Sequence, residues 1–327
     1  MVAALSILLM TTPPDFARLG DETLAMIQER YFLPDRNLYA ERPDRKQPAF
    51  NWGVGVMLSA LNAAAKHDKK YLPSLRAYAN ATRLYWNDGG YDVLPAPKSK
   101  DRYYDDNAWM ALAFVETYEI LGDRKYLDWA NDALNFALKG EAPDGGIYWR
   151  ETDRASRNTC SCAPTAAACL AIYSITKDPK LKAKAENLFA WTEKHLMDPQ
   201  DSLMWDALGN DGKLHQMKWS YNTALMIRTG HDLQRPLAQK MRDAARKHWI
   251  KEGRIADPGR FAHLLLEALL RSGAPRKELE AAVLAVHAAK TKEGFLPGHW
   301  HNLKTESNPE ILDQAAFARA CFVLASK

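Results

Sequence analysis

The chain has 327 residues, of which 47% are hydrophobic and 26% charged, and it carries a net charge of +4 at pH 7. This balance excludes disorder as the default state, and the length admits one large domain or two ordinary ones. Acidic and basic residues are interspersed, and no Lys/Arg run is long enough to suggest nucleic acid or an anionic membrane surface as a partner.

The chain opens on an apolar run over residues 2–10. It lacks the basic n-region of a secretory signal and is too short to span a bilayer. Two readings stand, the remnant of a signal peptide whose start lies upstream or a misassigned start codon. Secretion or a periplasmic location is the favoured expectation, with a cytoplasmic one open. Residues 1–14 are therefore set apart from a single domain over residues 15–327, and no other stretch reads as a membrane span.

Helical periodicity then gives about twelve segments and almost no strand pattern. The first runs from about Asp15 to Tyr31 and the second from Asn51 to Lys66. Later ones begin near Pro73, Asp105, Lys125, Cys160, Lys180, Trp219, Leu237, Gly259, Pro275 and Pro309. The three prolines fit a first-turn position, where a missing N–H costs nothing. The segments alternate in character. Those starting at Asn51, Asp105, Cys160, Trp219, Gly259 and Pro309 are rich in small and apolar residues, and the stretch from Ala163 to Ala171 is apolar nearly all round, which implies burial on both sides. Their partners show a charged face.

A short extended segment recurs between each charged helix and the next apolar one. The copies start at Asn37, Gly89, Gly145, Leu203, Gly253 and Gly294, roughly 40–57 residues apart, which constitutes an internal repeat. Six helical hairpins of this kind can close on themselves and leave no exposed ends. The expected fold is an all-α, single-domain (α/α)6 toroid, with an open helical-repeat array as the alternative. In the toroid the six recurring loops and the N-termini of the six inner helices share one face.

One stretch on that face stands out: Arg102-Tyr103-Tyr104-Asp105-Asp106-Asn107-Ala108-Trp109. Two adjacent carboxylates sit where a helix begins. Asp accepts hydrogen bonds from free backbone N–H groups there and favours the positive end of the helix dipole. One Asp suffices for that; a second, flanked by Tyr, Asn and Trp, makes a cluster of the side chains that bind sugars. Adjacent residues diverge by about 100° at 3.6 residues per turn. That splay holds two carboxyl groups on either side of a glycosidic bond, at the roughly 5 Å separation expected for retention.

The same face gathers Asn51, Trp52, Asn158, Ser220, Tyr221, Asn222, Asp313 and Gln314 by sequence position, with Tyr148, Trp149 and Trp205 in or beside the extended loops. Carboxylates, amides and flat rings are what carbohydrate binding needs. Each residue also has a plainer reading: Trp52 and Trp109 as core, Asn51 and Asn158 as caps, Asp92, Asp153 and Asp206 as turn residues. The cysteines, Cys160, Cys162, Cys169 and Cys321, show no zinc-ligand spacing and read as buried thiols. His299 and His301 have no carboxylate or Cys partner at metal spacing, so neither a metal nor a cofactor is expected.

The wording of the segment Tyr103 to Trp109, followed by Ala111-Leu112-Ala113 and Leu121-Gly122-Asp123, resembles family 76 glycoside hydrolases, the α-1,6-mannanase family. Gly145-Gly146-Ile147-Tyr148-Trp149, Asn158 and Trp219-Ser220-Tyr221-Asn222 extend the likeness to Asn222. The resemblance implies an (α/α)6 fold and a retaining hydrolase of α-1,6-mannosidic or related α-glycosidic bonds. Asp105 would be the nucleophile and Asp106 the acid/base. Tyr104, Asn107, Trp149, Tyr148, Asn158, Trp205, Tyr221, Asn222, Asn51 and Trp52 would line the substrate site. The expected partner is an oligo- or polysaccharide substrate of mannan type, and the protein is expected to be a monomer. Family members usually follow Tyr-Asn with Gln-Gly, whereas Tyr221-Asn222 is followed here by Thr223-Ala224, and the charged, aromatic later segment of the family is represented only loosely by Gly259-Arg260-Phe261. Such positions are expected to shape subsites and leave the exact glycan open.

Two other functions fit a toroid. An unsaturated uronyl hydrolase would need Arg or Lys beside its Asp, for which Arg102 and Arg157 are available. A non-catalytic glycan-binding toroid would use the Asp pair as caps only. A sugar epimerase would need facing histidines near the helix N-termini, and the sequence offers none.

Overall fold

The computed structural model describes residues 14–326, so most of the N-terminal segment set apart at residues 1–14 lies outside the described residues. Twelve α-helices are found among them. Six form an inner ring: α2 (Asn51–His67), α4 (Tyr104–Leu121), α6 (Thr159–Thr176), α8 (Ser220–Asp232), α10 (Gly259–Arg271) and α12 (Ile311–Ala325). Each packs on the next, and α12 packs back on α2, so the ring is closed. The outer helices are α1 (Phe16–Tyr31), α3 (Leu72–Ala81), α5 (Arg124–Leu138), α7 (Pro179–Leu196), α9 (Leu237–Trp249) and α11 (Arg276–Ala288). The fold is the (α/α)6 toroid, and the open array is ruled out by the α12–α2 contact.

The two rings differ for the reason their sequences differ. On α5 the buried residues Tyr126, Leu127, Ala130, Ala133, Leu134 and Ala137 fall on one helical face. On α6 every residue from Thr159 to Leu170 is buried, because α4, α5, α7 and α8 surround it. This helix is long and apolar enough to cross a membrane by composition, and its burial in the ring accounts for that composition. Pro73 does occupy the first turn of α3. Pro275 is instead the N-cap of α11, and Pro309 precedes α12 altogether, where its carbonyl accepts the Tyr31 hydroxyl.

The six extended copies share one local design. In each, a residue with positive φ turns the chain: Asn37, Gly89, Gly145, Ser202, Gly253 and Gly294. Glycine supplies this left-handed backbone freely, and Asn37 and Ser202 adopt it in the other two copies. Two residues later a buried side chain enters the helix layer: Tyr39, Tyr91, Ile147, Met204, Ile255 and Leu296. The fourth residue of the following inner helix then accepts the N–H of that residue in four copies. The pairs are Tyr91 to Asn107 Oδ1 (2.8 Å), Ile147 to Cys162 Sγ (3.1 Å), Met204 to Thr223 Oγ1 (3.0 Å) and Leu296 to Gln314 Oε1 (2.9 Å). These ties fix four of the six loops over the starts of their inner helices. Four loops are two-stranded hairpins or part of a small sheet: β1 (Phe32–Leu33) with β2 (Leu38–Tyr39), β3 (Trp86–Asn87) with β4 (Gly90–Tyr91), β5 (Ser156–Asn158) with β6 (Ala207–Gly209) and β7 (Leu214–His215), and β8 (Ile250–Lys251) with β9 (Arg254–Ile255).

Further down the axis the ring is closed by charge. Arg319 of α12 binds Glu116 of α4 (2.8 and 2.9 Å), Glu267 of α10 (2.9 and 3.1 Å) and the Ser59 carbonyl of α2 (2.9 Å). Beyond this layer, at the C-terminal ends of the inner helices, lies a cavity of about 1110 Å³. Its lining includes Glu116 and Glu267, the two carboxylates that share Arg319.

Candidate active site

The site is built on the first turns of the inner helices. Their second residues are, in ring order, Trp52, Asp105, Cys160, Tyr221, Arg260 and Leu312. The start of α4 is clamped by its neighbours. The Tyr104 N–H donates to the Trp149 carbonyl (2.9 Å) and the Glu151 N–H to the Arg102 carbonyl (3.0 Å). The Arg102 guanidinium grips Glu151 (2.7 and 2.9 Å) and the Asn87 carbonyl (2.6 Å). These bonds bring Trp149 against the pair.

Tyr103 is the N-cap of α4 and makes no side-chain cap bond; Asp105 and Asp106 lie within the first turn. Asp105 Oδ2 accepts the Trp149 indole N–H at 3.1 Å, and Asp105 Oδ1 is buried with no N–H or O–H donor. Burial pushes the Asp105 carboxyl up to about 7, against the pull of its hydrogen bonds. Asp106 is pushed up as well, by burial first and then by the charges of Asp105 and Asp101. Two neighbouring carboxyl groups, both raised by burial, are groups of the kind that acid–base work on a glycosidic bond uses.

Facing the pair across the axis is a stack of rings. Phe261 lies on Tyr221 (4.4 Å between centroids, 10° between planes) and on Trp52 (5.6 Å, 24°), with Trp219 tilted against it (5.2 Å). Trp52 and Tyr221 come from opposite helices of the ring, so the stack spans the axis.

The expected site residues divide. Asp105, Asp106, Trp149, Tyr221 and Trp52 belong to this end of the axis. Tyr104 and Asn107 do not open onto the cleft. Tyr104 is fully buried on Phe136, and a Cβ on Gly140 would stand 2.6 Å from its ring. Asn107 spends its amide on Tyr91 and on the Tyr103 carbonyl. Tyr148 packs against Arg154, which also holds the Tyr104 hydroxyl, so its contacts are on that flank. The Trp205 backbone N–H donates to the Leu196 carbonyl (2.7 Å), and its own carbonyl accepts the Thr159 hydroxyl (2.6 Å). Asn158 is the N-cap residue of α6 and makes no side-chain cap bond; its Oδ1 accepts from Ser156 (2.7 Å). Asn51 is buried with both amide atoms unpartnered, and Asn222 donates to Asp206 (3.3 Å) with its own Oδ1 unpartnered.

Thr223 departs from the expectation for a subsite residue: it is buried and holds the Met204 N–H, so that difference from the family alters a loop tie and not the cleft wall. Three residues here were read otherwise or only as part of a loose family match. Cys160 and Phe261 sit at the second and third positions of their helices, the positions that Asp105 and Asp106 occupy on α4. Asp206, read as a turn residue, is partly buried beside Asn222, and burial raises its carboxyl. Aligning the six helix starts on the loop repeat would have found the first two.

A closed ring of helices with adjacent carboxylates and stacked aromatic faces at one end is the build of a carbohydrate-active enzyme. The glycosyl hydrolase family 76 model matches residues 26–232, and the chain belongs to that family; it is a glycoside hydrolase. Among solved structures, a family 76 α-mannanase of Bacteroides thetaiotaomicron is 27% identical, with 96% of each chain covered and a TM-score of 0.88. A family 76 mannosidase of the same organism is 19% identical over 95% of this chain and 98% of its own, with a TM-score of 0.85. The α-1,6-mannanase of Salegentibacter sp. HEL1_6 is 18% identical over 95% and 99%, with a TM-score of 0.80. It is represented by an inactive variant in which two consecutive aspartates are replaced by asparagine, in complex with α-1,6-mannotriose. Comparison with curated proteins gives no match.

Proposed function

We propose that the protein is a retaining α-1,6-mannanase in which Asp105 is the nucleophile and Asp106 the general acid/base. The observation that carries this reading is the place of the adjacent pair, two carboxyl groups in the first turn of α4 with the Trp149 indole N–H donated to Asp105. Burial raises both carboxyls, which favours one of them keeping a proton while the other ionises, and the ionised role is given to Asp105, the one that accepts the Trp149 N–H. Asp105 attacks the anomeric carbon as Asp106 gives its proton to the leaving oxygen, which forms a glycosyl ester. Asp106, now ionised, takes a proton from water, and the water oxygen displaces Asp105 with the original anomeric configuration restored. Trp149 orients the nucleophile through its indole N–H, and the Trp52–Phe261–Tyr221 stack offers flat apolar surface to sugar rings.

The inactive double variant of the Salegentibacter enzyme and its mannotriose complex support both the pair and the substrate class. The uronyl hydrolase reading loses its support, since both arginines it needs are engaged. Arg102 is buried on Glu151, and Arg157 pairs with Asp144 (3.1 Å) and Asn210. The test is incubation with linear α-1,6-mannan, with α-1,2- and α-1,3-linked mannans as controls, followed by proton NMR of the first products. Release of α-anomers from the α-1,6 chain alone is expected. Initial β-anomers would overturn retention, and no release from any α-mannan would overturn the substrate class.

A further inference from the structure

The cup at the C-terminal ends of the inner helices lies at the end of the axis away from Asp105 and Asp106, with the Arg319 layer as its floor. Its volume of about 1110 Å³ is that of a pocket for a whole small molecule, which takes roughly 300–1,000 Å³. Eight cations and five carboxylates line it. Arg319 is paired with Glu116 and Glu267, and Arg271 with Asp232 (2.6 Å). The other six cations, Lys66, Lys69, Lys177, Lys182, Arg228 and Arg235, make no ion pair among the described residues. Against them stand two unpaired carboxylates, Glu119 and Glu186.

Helix dipoles account for part of this charge and not for the rest. Lys66 is in the last turn of α2 and Lys177 is the C-cap residue of α6, where a cation offsets the free carbonyls. Lys182 and Arg235 stand at helix starts. Lys182 is the fourth residue of α7, and Arg235 comes two residues before α9, a helix with no acidic residue in its first turn and no side-chain cap. A cation at a helix start opposes the dipole, so both are disfavoured where they stand unless an anion meets them. Arg228 is half-buried within α8 and makes no side-chain hydrogen bond among the described residues, so its guanidinium lines the cup unclaimed by the protein.

The six free cations fall in three pairs, one from each of three hairpins. Lys66 and Lys69 stand where α2 leads to α3, Lys177 and Lys182 where α6 leads to α7, and Arg228 and Arg235 where α8 leads to α9. Val115, Leu170 and Val323 add apolar wall. We propose that the cup is a second ligand site, which takes a compact polyanion with several phosphate or carboxylate groups on one small scaffold. A single small ion meets one pair of cations. A scaffold with separated charges meets all three while its body covers the apolar wall.

The test is calorimetric titration of the full chain with myo-inositol hexakisphosphate and, in a second arm, with benzene hexacarboxylate. The two carry six anionic groups of either kind on a six-membered ring. Inorganic phosphate and uncharged myo-inositol are the controls, at constant ionic strength. One hexa-anion per chain is expected to bind, at least about tenfold more tightly than inorganic phosphate, and the tighter of the two names the preferred group. Arg228→Gln, and the pair Lys182→Gln with Arg235→Gln, should each raise Kd about tenfold or more, the scale of one charge-assisted hydrogen bond. Lys247→Gln with Lys251→Gln removes as much charge as that pair from the other end of α9, where both lysines are exposed. It should leave Kd within about twofold, because salt screens a distant charge. If Arg228→Gln does not fold, the exposed pair Lys182 and Arg235 decides. Equal losses in the cup and control variants would reduce the binding to attraction by net charge and overturn the site. So would several hexa-anions per chain, or no binding of either one.

Discussion

Trp149 and Asp105 belong to different hairpin repeats, yet the indole N–H of one donates to the carboxylate of the other across 3.1 Å. Trp149 is also 44% exposed and lies edge-on to Tyr103 at 5.0 Å, so one face of the ring remains open to a ligand. Its two roles can be separated. Trp149→Ala removes ring and donor and is expected to weaken binding of α-1,6-mannotriose by about 1–3 kcal/mol, the scale of burying one large side chain. Trp149→Phe keeps a ring and loses only the donor, so the affinity falls less while the acid limb of kcat/KM moves upward. Calorimetric titration and pH profiles on both variants check this; equal affinity loss in the two would mean that no sugar stacks on the ring.

Asp105→Asn and Asp106→Asn are expected to abolish mannan hydrolysis in folded protein. Asparagine is as good as aspartate at a helix start, so a purely structural pair would tolerate both changes. The two variants should differ on an aryl mannoside with an activated leaving group. Asp106→Asn still forms the glycosyl ester there, because no acid is needed, and azide accelerates its breakdown. Asp105→Asn forms no ester. Full activity in both variants at unchanged melting temperature would remove the pair from the chemistry.

How far the sequence could be read follows from the kind of signal each feature leaves. The inner and outer helices were legible because burial on one face or on both sets the composition of a whole segment, as in α5 and α6. The loop repeat was legible because four of its six turns use glycine, at Gly89, Gly145, Gly253 and Gly294. The carboxylate pair was legible because two acids at one helix start exceed what a cap needs. What escaped depends on which way single side chains point. Tyr104 and Asn107 adjoin the pair in sequence but face Phe136 and Tyr91, since successive residues of a helix diverge by about 100°. Cys160 looked like an ordinary buried thiol of an apolar helix, Phe261 stood in a segment that matches the family only loosely, and only the ring brings them to the axis. Thr223 differs from the family at a position whose task is a bond to Met204, which no local pattern announces.

The charge layer below the site has a stability consequence. Arg319 is 9% exposed and serves two carboxylates from different helices. The carboxylate of Glu267 is held down at about 2 by Arg319 despite the opposing effect of burial. Arg319→Met keeps much of the volume and leaves both Glu116 and Glu267 without a partner, at an expected cost of about 3–5 kcal/mol. Adding Glu116→Gln and Glu267→Gln removes the stranded charges and should recover a large part of that loss. Urea denaturation of the single and triple variants measures both steps, and a triple variant no more stable than the single one would show that the charges themselves are not the source.

The acidity of the pair also predicts a pH-dependent penalty of carrying the site. Asp105 and Asp106 have carboxyl groups raised above the value of about 3.9 expected in an unfolded chain. Folding therefore favours their neutral forms. The resulting stability is fully present below about pH 3.9 and is lost as the pH rises from there through the raised folded values, about 7 for Asp105. Asparagine cannot ionise, so Asp106→Asn escapes its share of the loss. Its melting temperature should lie closest to that of the wild type at the acid end and exceed it by a margin that grows from about pH 5 toward neutrality. His263 contributes with the opposite sign: its imidazole is buried and lowered to about 4, so that contribution is present above about 6.5 and disappears as the pH falls through about 4. It is common to both proteins and cancels in the difference. Calorimetric scans at pH 5, 7 and 9 give the difference directly, and a margin that stays constant across the three would mean that the carboxyl of Asp106 is no more acid-shy in the folded protein than in the unfolded chain.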